Sequence, residues 1–309
     1  MQGAIGLLGV LLALTSGIAY AREPAYQPRR LEDGAPDLQG YWVASNRTPL
    51  IRPDGITELR ISAAQVQEIE ARFRARDQDL SIPNESVQFF DERHLEPVAG
   101  ALRSSIIVDP ADGRIPGTPR FQQLLAAFRA VALDGTDGPE QRPLWERCLG
   151  SLAAHPPILT IGFTNMHQIV QTRDAVLFFS ESLHEARILR LHAAHPPAAV
   201  DSWLGSSIAR WEGDTLVVET RNFKPDQNRR ADFVVSTETV IVERFTRIAS
   251  DELHYVFTVS DPTYYSQPWS GETHFLRSAA AIFEDACHEG NYSLRHILEA
   301  GRVLDARSH

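Results

Sequence analysis

Residues 206–223 read S-S-I-A-R-W-E-G-D-T-L-V-V-E-T-R-N-F, and this stretch decides the fold. Leu216 and Val218 fall on one side of an extended chain and Val217 and Glu219 on the other, which is the period-two pattern of a half-buried strand. Glu212-Gly213-Asp214 supplies the Gly and Asp that a short hairpin connection needs. Segments of the same kind lie on both sides of the hairpin. Strands are expected over 168–172, 175–181, 185–192, 207–211, 215–223, 237–248, 252–260, 272–277 and 281–286. No helix long enough for a parallel crossover separates them, so the spacing predicts antiparallel order. So many strands leave edges, and edges favour closure. The fold class that follows is mainly β: an antiparallel, lipocalin-like barrel of about eight to ten strands with two or three flanking helices.

Upstream the pattern changes. Ala4 to Ala19 is an apolar run without a charge, ending in Ala19-Tyr20-Ala21 before Arg22. It is too short for a span and reads as a secretory signal, residues 1–21, with a periplasmic or secreted mature chain. Residues 22–150 read as an irregular arm and helices packed on the barrel, and 151–309 as the barrel itself. One short strand is expected in the arm at Gly40-Tyr41-Trp42-Val43, a Gly-x-Trp that bears a weak likeness to the opening strand of lipocalin-type barrels. Ser62-x-x-Gln65 reads as a capping box starting a helix with Val66, Ile69 and Phe73 on one face. A second helix has Thr118 as cap, Pro119 at its first position and Phe121, Leu124, Leu125 and Phe128 facing a core. A short C-terminal helix is expected over 293–300, stopped by Gly301. Ala-Ala-His-Pro-Pro occurs twice, ending at Pro157 and at Pro197, too little for a structural repeat.

Composition removes several function classes. The net charge of -10 comes from scattered Asp and Glu, with no basic stripe for nucleic acid or for an anionic membrane surface. Lys224 is the single lysine and sits in a polar loop, which disfavours Schiff-base and phosphate-loop chemistry. The sequence contains no G-x-S-x-G elbow, no H-E-x-x-H helix and no dinucleotide fingerprint. Cys148 and Cys287 are the two cysteines. In an exported chain they either pair, stay as buried thiols, or include one functional thiol; a bond would contribute about 4 to 5 kcal/mol on the loop-entropy relation.

W-E-G-D-T-L-V-V-E-T-x-N-F, Val242-Glu243-Arg244-Phe245-Thr246 and Ala286-Cys287-His288-Glu289-Gly290-Asn291-Tyr292 together resemble a large family of secreted bacterial proteins of uncharacterised function. The resemblance covers most of the mature chain and implies export. It carries no agreed activity, so it assigns no catalytic residue.

Candidate chemistry comes from two His-Glu dipeptides. His184-Glu185 stands before a strand, where Glu185 and Arg187 share one face and His184, Ala186 and Ile188 the other. Glu185 and Arg187 on a barrel wall can orient an anionic or carbonyl substrate, with His184 at the rim as acid or base. The competing reading is a Glu-Arg pair in solvent. His288-Glu289 lies where the last strand meets the C-terminal helix, beside Asn291 and Tyr292, with Gly290 allowing close backbone approach. Trp203 and Trp269 are candidate ligand contacts with core packing as the alternative. A metal held by His184, His288 and a carboxylate is chemically conceivable, but no local spacing supports it, so neither metal nor cofactor is expected. These residues predict an exported, cofactor-independent enzyme of the lyase, hydratase or isomerase type. His184, His288 and Glu289 would move protons while Glu185, Arg187, Asn291, Tyr292, Trp203 and Trp269 hold a small organic substrate. The alternative is a non-catalytic ligand-binding barrel using the same cavity. Neither oligomeric state nor substrate identity is encoded in any motif.

Overall fold

The structure is a computed structural model that describes residues 26–79, 94–132, 135–150, 153–160, 165–225 and 234–308. The stretch expected to be a secretory signal, residues 1–21, falls outside these residues, and so does the side chain of Phe128. Ten strands form one sheet: β1 (Gly40–Val43), β2 (Ile107–Asp109), β3 (Met166–Gln171), β4 (Ala175–Ser180), β5 (Glu185–Leu191), β6 (Ser206–Glu212), β7 (Thr215–Arg221), β8 (Val240–Arg247), β9 (Glu252–Ser260) and β10 (Trp269–Arg277). Their order is β1-β3-β4-β5-β6-β7-β8-β9-β10-β2, and an added β1–β10 pairing closes nine of them into a barrel. Among the described residues the α-helices are α1 (Ala63–Asp79), α2 (Pro119–Ala132) and α3 (Ser293–Ser308).

The hairpin behaves as its sequence requires. Glu212 pairs with Thr215 across Gly213-Asp214, and Gly213 takes a φ of 61° that this tight turn needs. Inward residues alternate with outward ones along each arm, so Leu216 and Val218 are buried in the barrel core with Ala209, Phe245 and Tyr255. Glu219 points outward, where it meets His195 and Arg221. The expected helix caps also form. Ser62 and Gln65 exchange backbone-to-side-chain bonds, and the Phe121 N–H donates to Thr118 Oγ1. Val66 and Ile69 of α1 pack with Leu95 in a small satellite core, whereas Phe121 and Leu125 of α2 join the main one.

Four features differ from the sequence reading. The N-terminal arm does more than pack on the barrel: β1 is a stave between β3 and β10, and Trp42 is fully buried inside. Antiparallel order is broken once, because β5 pairs with β6 in parallel, and only through Arg190–Ile208 and Leu191–Ala209. A parallel crossover needs length rather than a helix, and the irregular segment 192–205 supplies that length. Residues 281–286 are not a strand. There the Phe283 N–H donates to Glu181 and the Asp285 N–H to His184, so backbone groups bond to side chains instead of a ladder. Finally, α3 runs through Gly301, where an added Cβ would collide with Thr136; this glycine permits close packing and does not end the helix.

Cys148 and Cys287 form a disulfide, tying the 142–150 segment to the chain just before α3. Among the described residues, no helix is long and apolar enough to cross a membrane.

Candidate functional site

Inside the barrel, each strand from β3 to β10 brings a polar side chain to a buried position: His167, Ser180, Arg187, Ser207, Thr220, Glu243, Tyr255 and Thr273; Arg247 on β8 and His274 on β10 are buried as well. Each member of the series from His167 to Thr273 shares its strand face with core residues two positions away, such as Ile169 for His167 and Ile241 and Phe245 for Glu243. The strand register therefore carries these groups inward along with the apolar ones.

At the centre of this belt is an ion pair. Arg187 is 4% and Glu243 0% exposed, and the guanidinium donates to both carboxylate oxygens, Nη1 to Oε1 at 3.2 Å and Nη2 to Oε2 at 2.5 Å. Tyr255 donates its hydroxyl to Glu243 Oε1 at 2.8 Å and accepts the Ile158 N–H at 2.9 Å. Ser207 and Thr220 lie 2.9 Å apart beside Arg187 Nη2. His167 Nδ1 is 2.9 Å from Ser180 Oγ, with its ring against Phe178 and Phe275. Three belt atoms have no hydrogen-bond partner among the described residues: Arg187 Nε, His167 Nε2 and Thr273 Oγ1. Unpartnered buried polar atoms are uncommon in folded proteins, and all three of these are closed off from solvent.

Burial holds two groups of the belt, His167 and Tyr255, in their uncharged forms. Burial, then the charge of Arg187, lowers His167 to about 3, so its ring is neutral near pH 7. Burial, followed by the Glu243 carboxylate, pushes Tyr255 well above its ordinary range.

The belt meets a cleft where β5 and β6 part. Because their pairing stops at two residue pairs, the rest of β5 and the crossover bound a cavity of ≈ 590 Å³. Arg187, Ser207 and Glu185 line it from the barrel wall, and Arg190 and Asp201 add charge. The crossover forms the opposite wall. It is anchored by His195 on Glu219 and by Asn222 Nδ2 on the Pro196 carbonyl, and Lys224 Nζ sits 4.8 Å from the Trp203 ring centre. Gly205 takes a φ of 70°, with the Arg221 carbonyl where a Cβ would stand, so the chain can turn tightly into β6 only as glycine. Ile188 and Val200 are 59% and 58% exposed at the cleft, a local apolar surface.

Of the residues predicted from sequence, Glu185, Arg187 and Trp203 come together in this cleft. Arg187 faces the barrel interior rather than solvent, while Ala186 and Ile188 point out, so the face assignment on β5 holds. His184, His288 and Glu289 do not line the cleft. The His184 ring accepts the Asp285 N–H at 2.8 Å and stacks on Phe179, fastening the C-terminal segment to the β4–β5 turn. His288 and Glu289 are exposed on a turn. Gly290 takes a φ of 68°, the left-handed conformation that its turn requires, with open space where a Cβ would stand. Asn291 Nδ2 donates to the Glu146 carbonyl at 3.0 Å, and Tyr292 is exposed against His296. Trp269 begins β10 and is fully buried between Phe257 and Tyr265, a core side chain and not a ligand contact.

Sequence reasoning missed the belt residues His167, Ser180, Ser207, Thr220, Glu243, Tyr255 and Thr273. A signal existed for the ionisable ones: Glu243 and His167 stand in register with apolar neighbours at two-residue spacing, which marks an inward polar position. Among the described residues, no group of three or more His, Cys, Asp or Glu is arranged to hold a metal ion. Comparison of the chain with protein-family models, with curated proteins and with solved structures found no match.

Proposed function

We propose that the protein is an exported small-molecule-binding barrel whose ligand enters between β5 and β6 and reaches the polar belt at Arg187. The observation that carries this reading is a cleft of ligand size, lined by exposed apolar side chains, with a buried guanidinium in its wall. Binding is favoured over proton transfer by the belt's electrostatics. A useful acid or base has a pKa near the working pH, whereas His167 is driven down to about 3 and Tyr255 upward. Export rests on the signal-like Ala4–Ala19 run, on the resemblance to secreted proteins, and on a disulfide suited to an oxidising compartment.

One observation favours a second reading, the exported acid-base enzyme of lyase, hydratase or isomerase type. Glu185 and Asp201 place two carboxylates on the same cleft as Arg187, the minimum set for moving a proton on a bound carbonyl compound. In that case these carboxylates, and not His184, His288 or Glu289, would carry the chemistry.

A thermal-shift screen of the mature protein against a metabolite library tests both. Binding in the cleft requires compounds that raise the melting temperature of the wild type and lose that effect in Trp203→Ala. An absence of stabilising compounds, or equal stabilisation of the variant, would rule the cleft out. Mass spectrometry of the hits after incubation then separates the readings, since turnover abolished by Glu185→Gln or Asp201→Asn would replace binding with catalysis.

A further inference from the structure

We infer that the ligand of the β5–β6 cleft is a carboxylate with a flat apolar body, its carboxylate held by the guanidinium of Arg190 and its body lying over Ile188 against the wall that Val200 and Trp203 provide. This deepens the reading of the cleft as the ligand site and rests on it.

The charge of the ligand follows from which cations of the cleft are already neutralised. Arg187 is spoken for: both its terminal nitrogens are held by the two oxygens of Glu243, so the pair presents no net charge. Arg190 is different. It alternates on β5 with the core residues Leu189 and Leu191, so its side chain leaves the barrel and lines the cleft, half-buried. Its hydrogen bond runs from Nη2 to Ser206 Oγ at 2.9 Å, a neutral hydroxyl, and among the described residues no carboxylate pairs with it. Most of the guanidinium's N–H donors, and its whole charge, are therefore left for a ligand. A second cation stands nearby. Lys224 does not line the cleft, but its Nζ is 4.8 Å from the ring centre of Trp203, which does, and no described carboxylate neutralises it.

The carboxylates of the cleft do not cancel this charge. Glu185 and Arg190 stand at positions 185 and 190 of one strand, which an extended chain separates by about 16 Å. That is beyond the screening length of about 8 Å at physiological ionic strength. Asp201 is exposed to water on the crossover and makes no bond to Arg190.

The head group follows from the donors. A planar guanidinium matches the two oxygens of a carboxylate, and its charge makes those hydrogen bonds the stronger kind. Ser206 Oγ accepts from Arg190 and keeps its own proton to donate beside it. A cationic head would face two unneutralised cations, and a neutral head would leave the half-buried guanidinium without a counter-charge. Ile188 projects from the same face of β5 two residues away, and Val200, Trp203 and Leu204 complete the apolar part of the lining. The indole of Trp203 suits a flat partner, and ≈ 590 Å³ admits a fused-ring skeleton.

The test titrates four probes of one skeleton calorimetrically into the mature protein: 2-naphthylacetate, its uncharged isostere 2-naphthylacetamide, 2-(2-naphthyl)ethylamine and 2-ethylnaphthalene. The acid should bind about tenfold more tightly than the amide, the step expected of one charge-assisted pair, and more tightly than the amine or the hydrocarbon. Equal affinity of acid and amide, or preference for the amine, would overturn the assignment while leaving the cleft as the binding site. Arg190→Gln removes the charge from a side chain that lies outside the barrel core. It should abolish the acid's advantage while the amide stays within about twofold of its wild-type affinity. An acid that binds this variant as tightly as the wild type is held elsewhere, and the assignment to Arg190 falls. Trp203→Ala should weaken acid and amide together. Probes that bind the wild type and Trp203→Ala equally, or a failure of all four probes to bind the wild type, would sink the cleft reading itself and this inference with it.

Discussion

Acidification should reveal how tightly the barrel seals its polar belt, and His167 is the reporter. The ring is 0% exposed, and burial together with the Arg187 charge lowers its folded pKa from 6.5 to about 3. The unfolded chain therefore takes up a proton at this position below pH 6.5 that the folded chain refuses until about pH 3. Since stability rises with pH wherever the unfolded state binds more protons, the contribution is complete above pH 6.5 and is lost progressively as pH falls. Each pH unit across that window is worth about 1.4 kcal/mol, so moving from about pH 7 to about pH 5 should cost the fold about 2 kcal/mol through this one group. Other histidines titrate in the same range, so the decisive quantity is a difference. Urea unfolding followed by far-UV circular dichroism at about pH 5, 6, 7 and 8 should show wild type losing about 2 kcal/mol more than His167→Asn over the interval. The variant will be less stable at every pH because it leaves space between Phe178 and Phe275, but its pH slope should be shallower. Parallel slopes would mean that His167 protonates in the folded protein. The belt would then be wet and His167 available for proton transfer, which would reopen the catalytic reading.

Two further outcomes follow from the same core. Replacing one partner of the buried Arg187–Glu243 pair, as in Arg187→Met or Glu243→Leu, strands a charge and should cost about 3 to 5 kcal/mol, whereas the double variant should recover most of that loss; single variants that melt within about 1 kcal/mol of wild type would mean that solvent reaches the pair. The Cys148–Cys287 bond closes a loop of sequence separation 139, so Cys148→Ser with Cys287→Ser should lose about 5 kcal/mol. Reductant should reproduce that loss in the wild type only, and a melting curve unchanged by reductant would contradict the bond's structural role.

The barrel was legible because period two survives along the longest hairpin: Ile241, Glu243 and Phe245 of β8, and Leu253, Tyr255 and Phe257 of β9, against their outward neighbours. Caps were legible because Ser62-x-x-Gln65 and Thr118-Pro119 act locally and form irrespective of what the helices pack on. What failed was long-range. Nothing local to Gly40–Val43 shows that it would be the stave between β3 and β10. Nothing in Gly301 distinguishes a helix stop from a packing contact with Thr136. His-Glu dipeptides drew attention because the residue types suit catalysis, yet His184 serves as a backbone acceptor and His288 remains exposed on a turn. The polar belt was hidden for the opposite reason: its members are scattered one to a strand among apolar neighbours, and only closure brings them into one ring.

The cleft arises from the same break in the pattern that the sequence reading did not foresee. Antiparallel neighbours joined by a hairpin are held in register from the turn outward, as β6 and β7 are from Glu212–Thr215 to Ser206–Arg221. A parallel pair has no turn between its strands, so its ladder can be as short as the rest of the barrel tolerates, and β5–β6 keeps two residue pairs. The crossover that replaces the turn must pass over the opened joint, where it becomes a wall; it is held there by Glu219 and Asn222 at the far end of β7. Both Ala-Ala-His-Pro-Pro segments dock at that end, His195 on Glu219 and His155 stacked on Phe223. The residues that set the opening are thus those of the crossover and its anchors, whereas Arg187, on the strand it crosses, places a buried ion pair behind it.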